Sequence, residues 1–427
     1  MEQACTRRRA LVGLIASAFL AASAGDAAAQ QVPRVLTLED ALDLALHHSP
    51  RIAAAGARAR SAGGRARDAA RPLNPTLAAS VENWGGSLGK DHVESTLEVA
   101  QTIELGGDRG ARSGLANAEE RAAVAERSVE ERRALAAVAE DFLNAWLAQE
   151  RIRAHRDAIR LGSDAVSAAA ERLRIGAGSP VEPLRAEGDL ALREIELREG
   201  ETELAAARRA LALHWGASEA TFDSLALGAP DLTPPQPLEA LQARLTAHPE
   251  RTRIAADVAA ADARVRESRA ARVPNLDVRL GIRRLSEFEE SGLVGGIALP
   301  LPIWNAQGGA VTAAEAEREL ANARRIGIER SLEVELAKRH ERLLAASEVF
   351  AIIRDRVLPS TDDALARVQA VYRSGRVSYL ELLEGQRASR STRLRFLEAA
   401  RDVWSARLAL DRFVAPAATP GEQRGER

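Results

Sequence analysis

The sequence predicts a mainly α-helical chain with a smaller β part suited to a membrane. Three observations predict it. Long proline-free stretches rich in alanine and charge carry a helical period, four short segments alternate with a period of two, and the whole arrangement occurs twice. Aromatic residues make up only 3% of the 427, thin for several ordinary globular cores. Alanine and charged residues dominate instead, as in long packed helices.

The ends read differently from the rest. Residues 1–29 have the pattern of a secretory signal. Arg7, Arg8 and Arg9 precede a short apolar run at 11–20, and Ala27-Ala28-Ala29 offers a cleavage site before Gln30. That run is too short, and too soon broken by Gly25 and Asp26, for a good membrane-spanning helix. The single cysteine, Cys5, lies ahead of it, so the mature chain is expected to have no disulfide, no thiol chemistry and no lipid anchor. Residues 416–427 read as a flexible tail. The 59 basic and 61 acidic residues nearly cancel; losing 1–29 removes three arginines, Glu2 and Asp26 and leaves a net charge of −3. Such a balance gives no reason to propose a nucleic-acid partner.

A shift of 199 residues overlays the two halves at several places. His48-Ser49-Pro50 meets Ala247-His248-Pro249, Gly176 and Ser179 meet Gly375 and Ser378, and Arg208 meets Arg407. The first unit is read as 30–229 and the second as 238–415, with a proline-rich crossover at 230–237 that does not suit a helix. Each unit opens with a helix of about 30 residues, at 38–71 and 238–272. Thr37 and Asp40 suggest a capping box for the first. Strands follow at 76–84, 95–105, 275–283 and 292–300. In them Leu77, Val81, Leu97, Val99, Leu280, Ile282, Leu293 and Ile297 alternate with polar or small residues. Each pair is joined by a polar link and reads as a hairpin. Then come long helices at 111–175 and 311–373, the second holding Pro359, where a kink is expected. In the first, Leu135, Val138, Phe142, Ala145, Ile152, Ile159, Val166, Ala170 and Leu173 trace a coiled-coil seam, interrupted by Gln149, Arg156 and Ser163. Return helices at 182–215 and 379–414 close the units. The turns between hold a glycine that ends one helix and a serine that begins the next.

Strands of this length cross a bilayer when tilted. Four cannot close a barrel, and an open edge in lipid leaves backbone groups unpaired at several kcal/mol each. Hairpins in a membrane therefore require several chains around one barrel, and three or more leave room for a lumen. A soluble coiled-coil protein with two exposed hairpins is the plain alternative, and a periplasmic adaptor is another. The first explains neither the clean alternation nor the signal, and the second usually carries compact β domains that are not visible here.

At this point the sequence resembles the TolC-type outer-membrane efflux factors over residues 36–414. Leu38-Glu39-Asp40-Ala41-Leu42, His48-Ser49-Pro50, and Tyr372-Arg373-Ser374-Gly375 through Leu383-Glu384 carry the resemblance. The segment from Gln101 to Arg109 (QTIELGGDR) and Leu299-Pro300-Leu301-Pro302-Ile303-Trp304 are similar to the branch serving heavy-metal pumps of the RND class. The resemblance implies a homotrimer with a shared twelve-stranded barrel in outer-membrane lipid and a long α-helical coiled-coil tunnel in the periplasm. It implies docking to a periplasmic membrane-fusion adaptor and an inner-membrane RND transporter. Passive conduction of heavy-metal cations is the leading expectation, and a duct for drugs or secreted proteins is the alternative. No covalent chemistry is implied.

The family pattern places gate carboxylates just past the second tip, at Glu381 and Glu384. Their i, i+3 spacing puts both on one helical face, so that three copies would stack two acidic rings. The bland reading is a solvated face with Glu384 paired to Arg387. Some members carry a basic latch two residues past the tip glycine, where this chain has Val377 beside Arg376. The tips, marked by Gly176, Ser179, Gly375 and Ser378, are the expected adaptor contacts; ordinary helix capping is their plain reading. No cofactor and no metal site are expected, because the seven histidines lack ligand spacing. Gly106-Gly107-Asp108-Arg109-Gly110 lacks the Gly-Lys-Ser/Thr of a phosphate loop and reads as a strand-to-helix turn.

Overall fold

The computed structural model describes residues 32–83 and 93–415; the expected signal at 1–29, most of the first hairpin link and the expected tail at 416–427 lie outside them. The first half runs β1 (Val35–Thr37), α1 (Leu38–His48), α2 (Pro50–Ala69), β2 (Thr76–Glu82), β3 (Glu94–Ile103), α3 (Asp108–Arg174), α4 (Val181–Leu213) and β4 (Ser224–Ala226). The second runs α5 (Leu238–Arg244), α6 (Pro249–Ala270), β5 (Leu276–Leu285), β6 (Glu290–Ala298), α7 (Gly308–Ile352), α8 (Leu358–Arg373) and α9 (Tyr379–Val414).

The Thr37–Asp40 capping box is present, the Asp40 N–H donating to the Thr37 hydroxyl at 3.2 Å and the Thr37 N–H to Asp40 at 3.1 Å. The single opening helix expected in each half is corrected: both are broken. Ser49 is extended (φ −66°, ψ 121°) and so is His248 (φ −67°, ψ 131°). Each precedes a proline, whose ring drives the preceding residue out of the helical region and which has no N–H to continue the ladder. The expected break at Pro359 takes the form of a π-turn, Ile353–Val357, just before it. A wider turn shifts the hydrogen-bond register away from the carbonyl that the ring would strike.

The four hairpin strands form one antiparallel sheet in the order β2-β3-β5-β6, with ends within two residues of the expected ones. Leu77 stands opposite Val99 and Val99 opposite Leu280; Leu97 pairs with Ile282 and Ile282 with Leu293. One face is therefore apolar, and it is open: Leu77 is 71% exposed, Leu280 64% and Leu293 83%. The other face is a polar ladder. Arg283 meets Glu94 and Thr96, each at 3.1 Å, and Thr102 donates to Asp277 at 2.6 Å. Among the described residues, β2 and β6 each have one neighbour only.

The β3–α3 turn holds the sheet to the helices. A Cβ on Gly106 would lie 2.6 Å from the Ala270 carbonyl oxygen, so only glycine allows this approach to the end of α6. Arg112 pairs with Glu104 and donates to the Arg71 carbonyl at 3.1 Å, while Arg109 donates to the Ala70 carbonyl at 2.8 Å. Both guanidinium groups thus sit at the carboxyl end of α2, where the helix dipole favours positive charge.

α3 has 67 residues and at 1.5 Å each runs about 100 Å. Its upper seam is as expected: Val138, Phe142, Ala145 and Ile152 are buried. Its lower seam is corrected. Ala170 and Leu173 are exposed, and the buried stripe is Ala158, Gly162, Ala165, Ala169 and Arg172. Small residues win there because a long side chain must be accommodated. A Cβ on Gly162 would come within 2.7 Å of the Arg193 guanidinium.

Midway along α3 lies the main core, with Leu36, Phe142, Leu211, Leu336, Leu343, Val403 and Leu410. Here β1 and β4 pair in parallel, strands too short to show a period in the sequence. The buried Gln149 amide extends them, donating to the Leu225 carbonyl at 2.9 Å and accepting from the Leu225 N–H at 2.8 Å. The seam interruption is thus a backbone mimic. Nearby, the C-terminus of α9 meets the N-terminus of α6, with α3 and α7 packed on both. Arg132 of α3 donates to the carbonyls of Arg412, Phe413 (3.0 Å) and Ala415 (2.6 Å), capping α9 from outside. His248 caps α6 through Nδ1, which accepts from the Glu250 N–H at 3.2 Å, and its ring lies 4.8 Å from Phe413.

Burial, then the charge of Arg132, lowers the His248 pKa to about 4. The folded imidazole is neutral, whereas the unfolded one binds a proton at its ordinary value. Its stability contribution is therefore complete above pH 6.5 and is lost as the pH falls toward 4. Lowering the pH from 6.5 to 4.5 is expected to take about 2 kcal/mol more stability from the native chain than from His248→Asn, which keeps a capping side chain. Denaturant titrations of the two at both pH values measure this; equal losses would refute it.

Candidate functional site

The far end of the molecule is made by two helix-to-helix turns, α3 to α4 and α8 to α9. Both end their first helix in the left-handed region, at Gly176 (φ 72°) and Gly375 (φ 80°). The Ala177 N–H donates to the Arg172 carbonyl at 2.9 Å, and the Arg376 N–H to the Val371 carbonyl at 3.2 Å. These bonds satisfy carbonyls that the helix end leaves open. Ser179 accepts from the Val181 N–H at 3.3 Å through its hydroxyl. Ser378 begins α9 with a capping box: its N–H donates to Glu381 at 2.8 Å, and the Glu381 N–H donates to its hydroxyl at 3.3 Å. The plain capping role therefore applies to all four tip residues.

Glu381 and Glu384 are both exposed, whereas Leu382 and Leu383 between them are buried. The two carboxylates share a face, as their spacing requires. One oxygen of Glu381 is held by the cap. The expected pair between Glu384 and Arg387 does not form; Arg387 turns to Asp189 at 3.3 Å. Among the described residues, Glu384 has no ion-pair partner. Val377 packs on the tip core and Arg376 is exposed.

Between the two turns lies a network that the sequence reading missed. Arg172, 8% exposed, donates to the carbonyls of Tyr372 (2.7 Å) and Ala177 (3.1 Å) and lies 4.6 Å from the centre of the Tyr372 ring. One side chain thus ties the first turn to the second. The Tyr372 hydroxyl donates to Glu182 at 3.2 Å, and the Tyr379 hydroxyl to Asp189 at 3.1 Å. Burial, then the charge of Glu182, pushes the Tyr372 phenol up to about 12. Burial and Asp189 raise Tyr379 further. Both phenols stay protonated and act as donors. One layer deeper, Arg193 donates to the Ala158 carbonyl at 2.8 Å and to Gln386 at 2.7 Å, and Gln386 donates to the Leu161 carbonyl at 3.2 Å. Burial lowers the Arg193 pKa, and its donors go to neutral oxygens. A signal was available: the chain has only two tyrosines, and they flank the second tip.

The arrangement offers no nucleophile with a base and no closed donor set. Among the described residues, no group of three or more His, Cys, Asp or Glu side chains could hold a metal ion. Among them too, no helix is long and apolar enough to cross a membrane, which says nothing of strands.

A long helical body, a sheet with an open apolar face and a pair of exposed carboxylates beside the tip are the marks of a channel-forming class of outer-membrane protein. The chain belongs to the outer membrane efflux protein family, whose sequence model matches residues 41–217 and 241–415. It is an outer-membrane component of an efflux channel, in a family of channels rather than enzymes. It is 30% identical over 380 residues to the cobalt-zinc-cadmium resistance protein CzcC of Cupriavidus metallidurans, covering 89% of this chain and 90% of that one. It is 26% identical over 330 residues to the nickel-cobalt-cadmium resistance protein NccC of Alcaligenes xylosoxydans xylosoxydans, covering 76% and 73%. Among solved structures, that of CusC superimposes with a TM-score of 0.75 at 18% identity, covering 89% of this chain and 92% of that one.

Arg172→Met would strip two carbonyls of their donor and remove the ring contact, a local loss of about 2–3 kcal/mol. Amide hydrogen exchange is expected to quicken at 170–180 and 370–384 and to stay unchanged at 138–150. Unchanged exchange at the tips would show that Arg172 does not join them.

Proposed function

We propose that this chain forms, as a trimer, the outer-membrane duct of a tripartite efflux pump and passively conducts heavy-metal cations outward. The observation that carries the proposal is the four-stranded sheet. It has one apolar face in the open and two unpaired edges, β2 and β6. In hydrocarbon the face is at home, but the edges are not. Three copies, β6 of each joined to β2 of the next, would close twelve strands with the charged faces inward. The helices then continue the wall as a periplasmic tunnel.

We further read the chain as two copies of one unit, 30–229 and 238–415, joined by the crossover at 230–237 after a signal at 1–29. The recurrence of two short helices, a hairpin, a long helix and a return helix supports this reading. The names of CzcC and NccC support metal cations as cargo. So does the tip: Glu381 and Glu384 would line the periplasmic entrance as acidic rings, which favour cations without binding them tightly. Tip residues Gly176, Ser179, Gly375 and Ser378 would dock a periplasmic adaptor, which couples the duct to an inner-membrane RND transporter. The duct itself carries out no covalent chemistry.

The gate reading is tested in planar bilayers. Glu381→Ala with Glu384→Ala is expected to lower selectivity for cations over anions several-fold; unchanged selectivity and conductance would remove the gate. The pump reading is tested in cells. The protein should appear in the outer-membrane fraction as an SDS-resistant trimer, cysteines at Ser179 and Ser378 should cross-link to an adaptor, and a deletion strain should become sensitive to zinc, cadmium or cobalt. Sensitivity to drugs alone would overturn the cargo, and a monomer in the soluble fraction would overturn the duct.

A further inference from the structure

The joint where α9 ends and α6 begins borders a half-open cavity of about 710 Å³ between α3, α6, α7 and α9. That volume is typical of small-molecule sites. Leu143, Ile328, Leu332 and Phe413 give it an apolar side. Five arginines share the rest of the wall with three carboxylates, Glu140, Glu250 and Glu335, and with small side chains, and the ion pairs do not use all of the arginines. Arg133 and Arg253 both pair with Glu250, at 2.7 and 2.8 Å. Arg339 lies 3.0 Å from Glu335, and Glu140 is taken by Arg401. Two guanidinium groups of the wall remain without a carboxylate. Arg132 has only main-chain carbonyls as partners, and Arg412 meets no acceptor among the described residues. Burial and the neighbouring Arg132 charge lower the Arg412 pKa, the response of a cation that lacks its counter-ion. His248 also belongs to the wall; with Nδ1 accepting from the Glu250 N–H, its Nε2 has no partner among the described residues.

Arg412, without a counter-charge, and Arg132, with main-chain oxygens as its partners, stand beside an apolar wall, and that combination suits one kind of ligand. A hydrated inorganic anion would leave the apolar side wet, and a neutral apolar molecule would leave the guanidinium groups unpaired. We propose that the cavity binds an amphipathic organic anion, a carboxylate on a short aliphatic body, with Arg412 and Arg132 at the head and Leu332, Ile328 and Phe413 around the tail. Such a ligand sits across a place in the helical wall where one helix stops and another begins. It would link the tip-bearing α9 to the sheet-bearing α6. This site does not depend on the cargo or on the gate.

The test is calorimetric titration of octanoate into the full chain, purified in its oligomeric form in a nonionic maltoside detergent. Octanamide, of the same length without the charge, is the control. Saturable uptake of one octanoate per chain is expected, with no saturable uptake of octanamide. Arg412→Gln should weaken binding roughly tenfold, the loss of one charged hydrogen-bonding pair. The Arg412 side chain makes no hydrogen bond or ion pair among the described residues, and its carbonyl still accepts from Arg132 in the variant, so Arg412→Gln should keep the native melting temperature. Ser331→Phe, which fills the exposed rim, should abolish binding. Absence of a saturable site, equal uptake of octanamide, or unchanged affinity in a folded Arg412→Gln would each overturn the proposal.

Discussion

Backbone N–H and C=O groups cannot be left unpaired in hydrocarbon, and most of this structure follows from that constraint. The sheet satisfies it internally across three strand pairings and fails at its two edges. One chain is therefore an incomplete object in a membrane. The proposed trimer is the smallest ring that supplies the missing partners and leaves a passage. The same constraint shapes the two faces. Apolar side chains such as Leu280 and Leu293 point to the side where lipid would be, and the arginines and acids pair on the other.

Outside the sheet, the recurring problem is the helix end. Each helix leaves four carbonyls without a partner, and this chain ends helices in crowded places. Arginine is the repeated answer. Arg112 serves the end of α2, Arg132 the end of α9 and Arg172 the turn after α3. A guanidinium suits this role because its planar fork reaches several oxygens at once and keeps its charge when half-buried. With only two lysines, Lys90 and Lys338, nearly all the positive charge of the chain can be used this way. Arg412 is the contrast: it has the same chemistry and no acceptor among the described residues, which leaves it available to the proposed ligand.

Much of the architecture was legible in the sequence because it rests on local rules. Alternation in Leu97, Val99, Leu280 and Ile282 marks strands, and the absence of proline from 111 to 175 marks one helix. Pro50 and Pro249 are as plain in the sequence, but the helical period runs on across each of them, and only the extended Ser49 and His248 mark the breaks. Of the tip, the glycine turns and the capping serine were legible. The spacing of Glu381 and Glu384 was legible too. Their partners were not, because Arg387 lies three residues from Glu384 and 198 from Asp189, and the distant one wins.

By itself, the sequence determined element types, the one-faced apolar character of the strands and the turns at Gly176 and Gly375, since each depends on neighbours within a few residues. Only the tertiary structure decided where α3 buries its lower face. It moved the seam from Ala170 and Leu173 to Ala169 and Arg172, because Arg193 and Tyr372 come from other helices and need the room that Gly162 and the alanines leave. It also decided that Gln149 completes a strand pair and that Arg132 caps a helix 280 residues away in sequence. Such contacts are set by the packing of long helices side by side, and no local period in the sequence encodes which residues will meet across them.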